Sequence, residues 1–119
     1  MQYMLLIYGD ENRGMDMSEE ESNAVMGEWF AYTEQLRAAG ASKAGDALQP
    51  TTTATTVTRG DDGAALVTDG PFAETREQLG GYYLLDVKDL DEAIEWARKC
   101  PGSKNGKIEL RPVMEFDQG

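Results

Sequence analysis

Asp69, Glu74, Arg76, Tyr82 and Tyr83 crowd into one run, Asp69-Gly70-Pro71-Phe72-Ala73-Glu74-Thr75-Arg76-Glu77-Gln78-Leu79-Gly80-Gly81-Tyr82-Tyr83. Carboxylates, a guanidinium and phenols are the groups that acid–base work or the anchoring of a polar ligand needs. With Phe72, and with Arg111 further along, they form the candidate pocket set. Each has a plainer reading beside the functional one. Asp69 either faces a ligand or accepts bonds from the backbone of its own Asp-Gly-Pro-Phe turn, as aspartates in turns do. Glu74, Arg76 and Glu77 either line a cleft or form a solvated charge run that contributes little. Arg111 shares a strand face with Glu109. It either closes an ion pair, because an unpaired enclosed charge is costly, or grips a substrate carboxylate in bidentate fashion. Gly80-Gly81 lets a ligand or another backbone come close. Tyr82 and Tyr83 point to opposite sides of a strand, one into the core and the other toward a cleft or subunit cavity. The hydroxyl that ends inside needs a partner.

What the chain lacks narrows the chemistry further. It has no histidine, so a Ser-His-Asp apparatus, an imidazole base and a histidine metal site are all excluded. Its one cysteine, Cys100, allows no internal disulfide, reads as an inert thiol and agrees with a cytoplasmic setting. There is no P-loop, no dinucleotide fingerprint and no cysteine cluster, and Asp10–Asp16 lacks the acidic spacing of a calcium loop. The expectation is no metal and no other cofactor. Eleven basic residues against 22 acidic ones give a net charge of −11, which opposes nucleic acid and anionic membranes as partners. No apolar run is long enough to span a bilayer, and the N-terminus lacks the basic start of a signal peptide. The 119 residues, 40% of them hydrophobic, fit one domain over 1–119.

The elements that must position these groups follow from local patterns. Tyr3 to Tyr8 is a strand apolar on both faces, so both faces must be covered. Ser18 and Glu21 form a capping box that opens a helix, which runs to about Ala39 and stops at Gly40. Val25, Met26, Trp29, Phe30, Thr33 and Leu36 make its apolar stripe. Lys43 to Leu48 is a short strand. Thr52–Arg59 and Ala64–Thr68 form a hairpin around Gly60-Asp61-Asp62-Gly63, and its small, polar alternation predicts an exposed arm or edge. Tyr82 to Val87 is a second strand apolar on both faces. Asp89 and Glu92 cap a second helix, with Leu90, Ala93, Ile94 and Ala97 inward, Trp96 at the side and Pro101-Gly102 as the stop. Lys107 to Val113 is the last strand. This order describes a ferredoxin-like α+β fold, βαββ(β)αβ, with an antiparallel sheet and both helices on one face. The second apolar face predicts a homodimer with the two sheets packed together.

Five stretches carry a family resemblance: "YMLLIYGDE" at the start, "GDALQP" at 45–50, "VTDGPFAETREQLGGYYLLDV" at 67–87, "LDEAIEWA" at 90–97 and "IELRPV" at 108–113. The chain resembles the DGPF branch of the YCII-related domain family. The resemblance implies a ferredoxin-like fold, a dimeric α+β barrel and the architecture of muconolactone-isomerase-type enzymes. DGPF genes often neighbour those of extracytoplasmic-function sigma factors, which implies a regulatory role. In another branch a histidine of the first helix and an aspartate are a proposed dyad, and one member eliminates halide from a ring-cleavage product. This chain offers Trp29 and Phe30 in that helix and no histidine, so the dyad does not carry over. Two functional expectations follow. One is a small-molecule pocket between sheet and helices, near residues 69–83. The other is a non-catalytic interaction or regulatory module in a sigma-factor pathway.

Overall fold

The computed structural model describes residues 1–116. Six strands and two helices follow one another as β1 (Gln2–Gly9), α1 (Glu19–Ala38), β2 (Ser42–Ala47), β3 (Thr55–Arg59), β4 (Ala65–Asp69), β5 (Gln78–Asp86), α2 (Leu90–Lys99) and β6 (Lys107–Pro112). Four strands form an antiparallel sheet in the order β2-β5-β1-β6, and β3 pairs only with β4. This is the ferredoxin-like arrangement with a hairpin inserted between its second and third strands.

Local chemistry sets the helix ends. The Ser18 hydroxyl accepts the Glu21 amide at 3.1 Å and donates to the Glu21 carboxylate at 3.3 Å, so orphan groups of the first turn are satisfied. Asp89 accepts the Glu92 amide at 2.9 Å in the same role. Gly40 stops α1 with φ at +67°, a region that favours glycine.

Alternation along β1 sends Tyr3, Leu5 and Ile7 toward the helices, where Leu85, Val87, Tyr32, Leu36, Ala93, Trp96 and Cys100 complete the core. Both helices therefore cover one face. Met4, Leu6, Tyr82 and Leu84 lie on the other, which no element among the described residues covers.

The apolar stripes differ from those the spacing predicts. In α1 the core takes Tyr32 and Leu36 with half-buried Trp29 and Thr33, while Val25, Met26 and Phe30 stay exposed, Phe30 at 68%. In α2 the core takes Ala93 and Trp96, and Leu90 and Ile94 stay outside. A four-stranded sheet covers a narrower strip of helix than these sequences make apolar, so the flank of each stripe is left over.

The chain is spread out. Its extents are 51 × 49 × 18 Å and its radius of gyration is 16.9 Å, against about 13.5 Å for a compact chain of this length. It exposes 8904 Å², where a compact monomer of its mass exposes about 6,400 Å².

Candidate functional site

α1 meets the sheet tightly only along Tyr32 and Leu36. Toward its N-terminal end a cavity of about 540 Å³ opens between helix and sheet. Trp29 and Thr33 line it from α1, Ile7, Gly81 and Tyr83 from the sheet, and the 102–106 turn from one end. Asp10, Glu11 and Arg13 line it from the loop after β1. Glycine makes this space. A Cβ on Gly45 would stand 2.6 Å from Tyr83 Cδ1, so only glycine lets the Tyr83 ring lie flat over β2. A Cβ on Gly106 would overlap the Tyr8 carbonyl oxygen, so glycine lets the turn close against β1.

The walls are aromatic, with polar atoms at few points. Tyr32 meets Trp29, Tyr83 and Trp96 edge to face, with centroids 6.3, 5.6 and 6.2 Å away. The hydroxyls of Tyr83 and Thr33 lie 2.7 Å apart and share a hydrogen bond. At the β2 edge, Tyr82 donates to the Asp46 carboxylate at 2.8 Å. That bond, and then the negative charge of Asp46, raise the Tyr82 pKa, so the phenol stays a donor. Behind the cavity Tyr32 donates to the Trp96 carbonyl at 2.7 Å, satisfying one of the orphan carbonyls that end α2. Burial, then the neighbouring Cys100 and Tyr83, push the Tyr32 pKa well above its ordinary value. Burial likewise raises the Cys100 thiol, so it is held as an unreactive thiol.

Backbone ties hold the mouth. The Thr51 amide donates to Glu11 at 3.0 Å, its hydroxyl donates to the same carboxylate, and the Glu11 amide donates to Gln78 Oε1 at 3.0 Å. Arg13 donates to the Asn105 carbonyl at 3.0 Å.

Of the residues expected at a pocket, Tyr82 and Tyr83 line this cavity. They point apart, Tyr83 toward the helices and Tyr82 toward the uncovered face. Glu74 lines a second hollow of about 300 Å³, with Thr51, Pro71 and Thr75 among its walls. Asp69 ends β4, Phe72 is 89% exposed and Arg76 is exposed; none of the three touches either hollow. Arg111 bonds Glu109 at 2.9 Å in an exposed pair on the uncovered sheet face. Spacing alone missed Thr33, Asp46, Asp10, Glu11 and Arg13. The available signals were "GDALQP", which carries Asp46, and Asp10–Asp16, weighed only as a calcium loop. Among the described residues no group of three or more His, Cys, Asp or Glu side chains could hold a metal ion, and no helix is long and apolar enough to cross a membrane.

A family model described as the YCII-related domain matches residues 1–117. Uncharacterized protein R00369 of Rhizobium meliloti (strain 1021) is 40% identical over 121 aligned residues, covering 100% of this chain and 97% of that relative. Among solved structures, 5-chloro-2-hydroxyhydroquinone dehydrochlorinase from Burkholderia phenoliruptrix AC1100, in complex with 2,5-dihydroxybenzoquinone, superposes with a TM-score of 0.54. That match covers 98% of this chain and 96% of the neighbour at 13% identity, a likeness of fold.

Proposed function

The chain belongs to the YCII-related domain family, and from that premise we propose that it works as a homodimer holding a small aromatic or quinone-like ring between α1 and the sheet. The carrying observation is the cavity itself. Its 540 Å³ lies within the usual size of small-molecule sites, and apolar walls with a few fixed polar groups are what such sites present. Trp29 and Tyr83 supply ring surfaces for stacking or edge contact. Inside the cavity the Thr33–Tyr83 hydroxyl pair supplies a donor and an acceptor that fix orientation. The fold neighbour's bound 2,5-dihydroxybenzoquinone is a ligand of this size class. Within the family, the run Asp69-Gly70-Pro71-Phe72 supports membership of the DGPF branch.

Surface area supports the dimer. The chain exposes about 2,500 Å² more than a compact monomer of its mass. Two copies that each hid that excess would bury an area in the range of obligate subunits. The uncovered face, with Met4, Leu6 and Leu84, is a surface for one sheet to set against another.

The test is a thermal-shift and nuclear magnetic resonance titration with 2,5-dihydroxybenzoquinone, catechol, phenol and benzoate. A binder raises the melting temperature by mass action and moves the Trp29 indole resonance. Replacing Gly81 by valine sets a Cβ 3.0 Å from the Asp46 carbonyl oxygen at the cavity wall and should remove the response, with unchanged circular dichroism as the check on the sheet. No shift with any of the four probes, in a protein whose melting is otherwise cooperative, would sink the ring-binding reading. Sedimentation of the wild-type chain as a 13.1 kDa monomer would sink the dimer.

A further inference from the structure

The β3–β4 hairpin lies outside the four-stranded sheet. Its strands pair only with each other, and Val57, Leu66 and Val67 are 61, 64 and 63% exposed. A lone two-stranded hairpin is marginal in water and needs packing from elsewhere. The register is Thr55↔Asp69, Val57↔Val67 and Arg59↔Ala65, and residues opposite one another share a face. One face therefore carries the Val57–Val67 pair at its centre, Arg59 at the tip end and Asp69 at the root end. Four residues of strand hold Arg59 and Asp69 about 13 Å apart, too far to pair within one arm. Neither has an ion-pair partner among the described residues.

This pattern is self-complementary. A two-fold axis through the valine pair, crossing the strands, lays one arm on another with tip over root. Valines then meet valines, and each Arg59 comes beside an aspartate at position 69 of the other copy. We propose that the arm is a dimer clasp: the Val57–Val67 face packs on the same face of a second copy of this chain, and Arg59 and Asp69 form two reciprocal intersubunit ion pairs. Isologous contacts have this reciprocity. Charge favours the arm as the meeting point as well. The chain carries −11 overall, whereas the paired strands β3 and β4 hold one arginine and one aspartate; with Asp61 and Asp62 of the connecting turn the arm carries only −2. The clasp adds to the dimer proposed above and rests on it.

The experiment measures dimer dissociation by sedimentation at low ionic strength for the wild type, Arg59→Asp, Asp69→Arg and the double swap. Native mass spectrometry then follows an equimolar mixture of the two single variants. Unchanged circular dichroism checks the fold, and all the substituted side chains are exposed. Each single variant should dissociate at least about tenfold more readily, the double swap should return to within about threefold of wild type, and the mixture should form heterodimers in preference to either homodimer. Asp69→Arg is the discriminating arm. It removes negative charge from an acidic chain, so general repulsion alone would tighten the dimer, whereas reciprocal pairing requires it to weaken. A wild-type dimer with the same dissociation constant in all variants, or single-variant weakening with no rescue by the swap, overturns the clasp and leaves the dimer standing. A monomeric wild type removes both.

Discussion

Leu85 on β5 and Leu66 on β4 are the same residue in two antiparallel strands, yet one is 0% exposed and the other 64%. β5 runs between β1 and β2 with helices over one face, so Leu85 joins Leu5, Leu36 and Ala93 in the buried core. β4 has a single neighbouring strand and all five of its residues are exposed. Residue type sets what a side chain gains from burial, but the number of layers around a strand decides whether that gain is realised inside the chain or left for another molecule.

The comparison can be broken most directly by the same truncation in both places. Leu85→Ala should cost about 2–5 kcal/mol, the lost transfer energy plus a cavity. Leu66→Ala, measured by urea unfolding at high dilution, should cost under about 0.5 kcal/mol, as exposed substitutions do. Equal losses would show that the arm is packed inside its own chain.

A middle-sized effect probes the core's polar atoms. Tyr32→Phe should destabilise by about 1–2 kcal/mol, because the buried Trp96 carbonyl loses its donor. The same variant alters the pH dependence. Tyr32 and Cys100 have folded pKa values raised above their ordinary 10.0 and 9.0. The unfolded chain therefore loses these protons first as pH rises, and it binds fewer protons than the folded one. Stability from these groups is fully present below pH 9 and falls as pH climbs through 9 and 10. Tyr32→Phe should flatten the part of that fall above pH 10 and leave the earlier Cys100 part, as urea midpoints across the alkaline range would reveal. The smallest effect is expected at Arg111. Its pair with Glu109 is exposed, and Arg111→Ala should change stability by less than about 1 kcal/mol unless the sheet face is an interface, where the loss becomes concentration-dependent.

Much of the fold was legible because its signals are local. Ser18 with Glu21 and Asp89 with Glu92 announce helix starts within one turn, and the strands apolar on both faces announce a sheet that wants two covers. Burial along α1 was not legible in the same way. Met26 and Phe30 continue the apolar spacing of Trp29 and Leu36, and only the width of the sheet decides which of them are covered. The site was legible in part. Tyr82 and Tyr83 were found because strand alternation forces them apart. Asp46 was missed because its role comes from register, β2 lying against β5 so that Asp46 meets Tyr82. Asp69, Phe72 and Arg76 spell out chemistry in the sequence, but the chain carries them to the root of the arm, away from the main cavity.

The grip of Glu11 on Thr51 has a thermodynamic consequence. Thr51 lies in the short turn that leads into β3, while Glu11 lines the cavity, so the arm's root and the cavity's mouth are one mechanical piece. Ordering either end reduces the freedom left to the other. If the proposed ring site and dimer both hold, linkage makes the effect reciprocal: whatever factor a bound ring contributes to subunit association, association returns to the affinity for the ring.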